Sequence, residues 1–126
     1  TDALAQLRDA MHELEGFGFD KAKSAQQLLG GRVRAMLADK GMRSVAAPGF
    51  QAPSVVVSYT DDKDIQSGRK LTSLGLQTAA GVPLQCDEPA DFMSFRIGLF
   101  GLDKLRNVER TVASLDEAFS QLTVPA

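Results

Sequence analysis

Ser94-Phe95-Arg96-Ile97-Gly98-Leu99, running on into Phe100-Gly101-Leu102-Asp103-Lys104-Leu105, is the stretch that decides the fold. Its first half alternates, with Phe95, Ile97 and Leu99 on one side of a strand and Ser94, Arg96 and Gly98 on the other. Its second half changes period. From about Asp103, Leu105, Val108, Val112, Leu115, Phe119 and Leu122 recur at steps of three and four, the cleanest helical stripe in the chain. A one-sided strand feeding a one-sided helix predicts a sheet that buries a single face beneath helices.

Upstream segments follow the same logic. Ser54 to Tyr59 holds the β-branched run Val55-Val56-Val57 and reads as a buried strand. Leu76 to Ala80 is a weaker strand, and Arg43 to Ala47 a short one before the Pro48-Gly49 turn. Asp61 and Asp62 suit the cap of a helix that ends near Leu74, with Gly75 after it. Another helix runs from about Asp20 to Lys40, directing Ala25, Leu28, Leu29, Val33, Met36 and Leu37 inward, and Gly41 suits its left-handed end. Gly30 and Gly31 in its middle each cost roughly 1 kcal/mol relative to alanine and argue against an unbroken helix.

The first helix, Asp2 to Glu15, carries a narrow stripe of Leu4, Leu7, Met11 and Leu14, with Thr1 or Asp2 to cap it and Gly16 to Gly18 to stop it. It reads equally well as a local core helix or as one that docks on another domain or subunit. The order helix, helix, strand, strand, helix, strand, strand, helix does not suit a doubly wound parallel sheet. The expected class is α+β in two layers, with a small mixed or mostly antiparallel sheet and helices packed on one face.

The bulk numbers fit that class. The chain has 126 residues, 44% of them hydrophobic and 24% charged, which suits one packed domain and excludes intrinsic disorder. A net charge of −2 gives no electrostatic reason to expect nucleic acid or an anionic membrane. Between Phe17 and Arg43 the bases Lys21, Lys23, Arg32, Arg34, Lys40 and Arg43 outnumber Asp20 and Asp39, and at helical spacing they read as a solvated face. A single cysteine, Cys86, excludes an internal disulfide framework and makes a reducing cytosol the default compartment. No apolar run approaches the roughly 20 residues needed to span a bilayer, and no basic-then-apolar leader opens the chain. Thr1 at the start suits a processed chain, an internal boundary or a proteolytic product.

Few residues offer chemistry. His12, on the flank of the first helix, reads as a partly exposed surface histidine, and Cys86, without a histidine or second cysteine nearby, as a modestly buried thiol. Gly81 to Asp91 is a loop long enough to suspect of function. Its Asp87, Glu88 and Asp91 match no calcium loop or metallohydrolase spacing and read as solvated carboxylates. Phe17-Gly18-Phe19 lacks the strand that would make its glycine a phosphate-binding turn. Arg96 is the exception. Its planar fork suits a bidentate carboxylate, and Gly98 on the same face leaves space above it for a ligand or another backbone. The alternative is an arginine on an open sheet face, paired with an acid of its own chain.

Phe95-Arg96-Ile97-Gly98-Leu99-Phe100-Gly101, at the end of the Gly81–Gly101 stretch and followed by a helix, resembles the signature near the end of the class V pyridoxal-phosphate aminotransferases, in the alanine–glyoxylate and serine–pyruvate branch. The likeness extends over nearly the whole chain. Thr1-Asp2-Ala3-Leu4 with Leu7-Arg8-Asp9-Ala10 looks like the segment that follows the large domain in those enzymes, and the closing helix from Asp103 fits as well.

The resemblance implies that residues 1–16 form an interdomain helix and residues 17–126 the carboxy-terminal small domain of a cytoplasmic, homodimeric enzyme. That enzyme moves an amino group between a small amino acid and a keto acid. The resemblance also makes Arg96 the residue that binds the substrate α-carboxylate. In the family, pyridoxal phosphate forms a Schiff base with a lysine of the large domain. Lys21, Lys23, Lys40, Lys63, Lys70 and Lys104 all fall on predicted helices or their ends, where solvated side chains are expected, so this fragment alone should be inactive. The stripe Leu4-Leu7-Met11-Leu14 is then the surface where the large domain or second subunit docks. Leu84 to Asp91 departs from better-known members and leaves the amino donor and acceptor open. The residues themselves leave room for a free-standing ligand-binding domain or an oligomerisation module.

Overall fold

The computed structural model describes residues 1–122. It begins with α1 (Asp2–Phe17), which turns at Gly18 (φ 106°) into α2 (Phe19–Asp39). There follow β1 (Val55–Tyr59), α3 (Lys63–Gln66), α4 (Arg69–Ser73), β2 (Ala79–Ala80), β3 (Ser94–Gly98), α5 (Leu102–Arg106) and α6 (Val108–Leu122). The three strands lie in the order β1-β3-β2 and both pairings are antiparallel. The fold is α+β, as the alternation and helical stripes predict.

One face of the sheet makes the core. Val56 of β1 stands opposite Ile97 of β3, and Phe95 and Leu99 flank it on the same side. Leu29, Val33, Met36 and Leu37 of α2 close over them, with Ile65, Leu71, Val112, Leu115 and Phe119 from the other helices. Phe95 and Phe119 are fully buried and stack at 5.9 Å between ring centroids, joining the centre of the sheet to α6. Burying two such rings removes enough apolar area to contribute several kcal/mol. The opposite face carries Val55, Val57, Tyr59 and Arg96, all half-buried, with Ala79 and Gly98 exposed.

Several elements differ from the sequence expectation, each for a local reason. α2 runs unbroken through Gly30-Gly31. Gly30 is buried there because Pro53 crosses it, and a Cβ would come within 2.9 Å of the Pro53 Cα. Leu28 does not face inward but is half exposed at 52%, while Ala22 and Gly30 share the buried side instead. Arg43 to Ala47 forms only an isolated bridge, Ser44 to Ser58, although the Val45 amide donates to the Val57 carbonyl and the Tyr59 amide to the Arg43 carbonyl across that edge of β1. The helix after Asp62 splits at Gly68, whose φ of 86° no continuing helix adopts. Asp62 does cap its first turn, accepting from the Asp64 and Ile65 amides at 2.8 and 3.3 Å. Leu76 still belongs to the turn that ends α4, donating to the Leu71 carbonyl, so only Ala79–Ala80 remain as strand. The last helix breaks at Asn107, whose side chain donates to the Asp103 carbonyl and whose own carbonyl accepts from Thr111 to begin α6.

The basic excess on α2 is not simply a solvated face. Arg32 forms a two-point pair with Glu109 of α6, which raises the arginine pKa and lowers that of the glutamate. Arg34 donates to the carbonyls of Ala52 and Val55, tying the incoming strand to α2. Lys40 is bound to Asp116. α1 differs from every other long helix: it buries none of its residues, and Leu4, Leu7 and Met11 are 70, 56 and 58% exposed. Its ties to the body include an ion pair from Glu13 to Arg106 at 3.4 Å and the approach of Arg106 to the Phe17 ring. Among the described residues no helix is long and apolar enough to cross a membrane.

Candidate functional site

Arg96 occupies the middle of the central strand. Phe95 and Ile97, 0 and 4% exposed, anchor it from the core side, and strict alternation then directs Arg96 to the opposite face. Its backbone neighbours across the sheet are Val57 of β1 and Ala79 of β2. Nε donates to the Ala80 carbonyl at 3.0 Å. Among the described residues no carboxylate pairs with this guanidinium, and its two terminal nitrogens make no hydrogen bond. An arginine so placed is half-buried, fixed at one nitrogen and open at two. It can grip a planar anion that arrives from outside the chain.

Gly98 shares the face of Arg96, but the space beside it is not open. The Phe100 ring lies against it, so that a Cβ at position 98 would meet ring carbons at 3.0 and 3.3 Å. Phe100 itself is 57% exposed. The glycine therefore accommodates the chain's own aromatic ring.

The loop after β2 is built around Glu88, which is not a merely solvated carboxylate. Its two oxygens accept from the amides of Leu84, Gln85 and Cys86, the last at 2.8 Å. These bonds, that of Cys86 foremost, hold its pKa down at about 2. Gln85 and Asp87 adopt left-handed φ values of 59° and 65°, a conformation that costs on the order of 1 kcal/mol for a residue with a side chain and needs such tethers. Glu88, Pro89, Phe92 and Met93 line two cavities that flank the loop, of about 480 and 550 Å³. Spacing alone did not single out Glu88. Its partners are backbone amides, which leave no mark in the sequence.

The other residues singled out from the sequence do not gather. His12 is exposed on α1, and Cys86 is exposed in the loop, not modestly buried. Asp87 and Asp91 are exposed, and among the described residues no three histidine, cysteine or acidic side chains come together as a metal site. The lysines are less free than their helical positions suggest. Lys40 binds Asp116, Lys70 binds Asp62, Lys104 donates to the Phe100 carbonyl and Lys21 covers the Phe17 ring. Lys23 and Lys63 are exposed on α2 and α3. A further cavity of about 490 Å³ contains Arg34, Arg43, Ser44 and Ser58. Both guanidiniums there are already engaged, Arg34 with two carbonyls and Arg43 over the Tyr59 ring at 4.3 Å.

The chain matches no known family model and none of the curated proteins.

Proposed function

We propose that this chain is the carboxy-terminal small domain of a class V, pyridoxal-phosphate-dependent aminotransferase, and that Arg96 binds the α-carboxylate of its amino-acid or keto-acid substrate. One observation carries the reading. In the motif Phe95–Gly101, a strand arginine is anchored from behind, unpaired by any acid of the described residues, and turned to the face away from the core. A two-point grip on the carboxylate stops the substrate rotating, so the bond to be broken at Cα keeps one orientation.

The cofactor belongs to the large domain in this reading. It supplies the electron sink for chemistry at Cα. The lysines of this chain do not fit a covalent attachment point: four are engaged with their own chain, and Lys23 and Lys63 lie exposed on helices. The small domain thus binds, orients and helps shape the mouth of the site, and alone it is inactive. The exposed stripe of α1 then docks on the large domain or the second subunit of a cytoplasmic homodimer. That same stripe also favours a second reading, in which the chain is an oligomerisation module with no substrate.

Replacing Arg96 by alanine in the longer enzyme separates the two. The aminotransferase reading expects an unchanged cofactor absorbance and a half-saturating amino-acid concentration raised by roughly 30-fold or more. Unchanged affinity would remove the reading.

A further inference from the structure

Arg96 meets the Ala80 carbonyl because the chain leaving β2 is pressed against β3. Gly81 lies directly over Ser94, and any Cβ at position 81 would overlap the Ser94 carbonyl and hydroxyl. Gln66, at the end of α3, donates through Nε2 to the Gly81 carbonyl at 3.1 Å. β2 has only two residues, paired with Arg96 and Phe95, too short a ladder to hold its own place. The Ala80 carbonyl is therefore held by the contacts of residue 81 as well as by this short ladder.

A guanidinium has two bidentate edges. One joins Nε to a terminal nitrogen and the other joins the two terminal nitrogens. With Nε–H given to Ala80, only the second edge remains. We infer that Gly81 and Gln66 are positioning residues for Arg96: by holding the Ala80 carbonyl on its Nε, they make the guanidinium meet a carboxylate end-on. The inference rests on the reading of Arg96 as the substrate clamp and specifies how the clamp is aimed. The bond also stops rotation about the end of the side chain. The fork is then set before the ligand arrives, and less ordering is lost on binding. A ligand must bring its carboxylate in the plane of the fork, along the outward direction of the side chain.

The test compares Gln66→Ala, Gly81→Ala and Arg96→Ala in the longer enzyme. Gln66→Ala removes one tether and creates no clash; it should raise KM for the amino acid roughly fivefold while kcat and cofactor absorbance stay within about twofold. Gly81→Ala should raise KM further. Should Gly81→Ala fail to fold, Gln66→Ala decides, together with nitrogen NMR of the unsubstituted enzyme titrated with a keto acid. There the Arg96 Nε–H signal should hold its position while the terminal N–H signals move. An Nε–H that shifts with the others overturns end-on binding. A large loss for Arg96→Ala with unchanged KM in both tether variants, whatever happens to their melting temperatures, overturns the positioning role and leaves the clamp standing. No loss for Arg96→Ala overturns the clamp itself.

Discussion

Lys40 Nζ lies 2.7 Å from Asp116 Oδ1 and 2.7 Å from Ser120 Oγ, so the residue that follows and caps α2 is fastened to the last turns of α6. Its side chain is only 16% exposed, against 55% for Asp116. A lysine stem packed this way contributes through its methylenes as well as its charge. A double-mutant cycle of Lys40→Met with Asp116→Asn, read by urea unfolding, should give a coupling of about 0.5–1 kcal/mol. No coupling would show that the pair is only a geometric neighbour.

Gly30 and Gly31 should respond oppositely to alanine, although they are adjacent in one helix. At Gly31 nothing lies within 4 Å of a new Cβ, so Gly31→Ala should stabilise by about 0.5–1 kcal/mol. At Gly30 the Pro53 backbone is in the way, and the helix and the strand-entry segment must part. Gly30→Ala should therefore lower the unfolding midpoint despite its better helix propensity. Equal stabilisation by both would contradict the close crossing.

Glu88 gives the loop a pH dependence of definite sign. Its carboxyl is held near 2, below the usual 4.5, so the ionised form favours the ordered loop. That contribution is complete above about pH 4.5 and lost as pH falls toward about 2. The amide shifts of Leu84, Gln85 and Cys86 should titrate together with a midpoint near 2. Glu88→Gln should abolish that titration. A midpoint at the ordinary value would mean that the carboxylate is free.

α1 should be nearly silent in the stability of this chain. Because it buries no residue, Leu7→Gln should change the unfolding free energy by less than about 0.5 kcal/mol. Leu29→Ala, deleting a fully buried side chain of α2, should cost about 2–5 kcal/mol. Thermal unfolding of the two variants makes the comparison. A large loss for Leu7→Gln would place the stripe in this domain's own core.

What could be read from the sequence follows from the range over which each signal acts. The alternation through Phe95, Ile97 and Leu99 and the stripe from Leu105 to Leu122 depend on burial of whole faces, and periodicity reports that directly. Gly30-Gly31 misled because helix propensity counts the local cost and not the Pro53 backbone that crosses there. Gly68 and Asn107 broke helices whose apolar spacing continues past them, since a single φ/ψ value leaves no trace in hydrophobic pattern. The pairing of Arg32 with Glu109 spans 77 positions, and no one-dimensional pattern contains it. Arg96 was legible as a guanidinium on the outer side of a strand. Its Nε bond to Ala80, which settles the direction of its fork, depends on a close approach at Gly81 visible only in three dimensions.

Carboxylate recognition by Arg96 is tested by varying the ligand together with the residue. In the longer enzyme, binding of the amino acid should be compared with binding of its carboxamide, which has the same size and no negative charge, for the unsubstituted protein, Arg96→Lys and Arg96→Ala. The unsubstituted protein should prefer the acid by roughly 100-fold, lysine should keep part of this preference and alanine should abolish it. An acid-over-amide preference that survives intact in Arg96→Ala would contradict it.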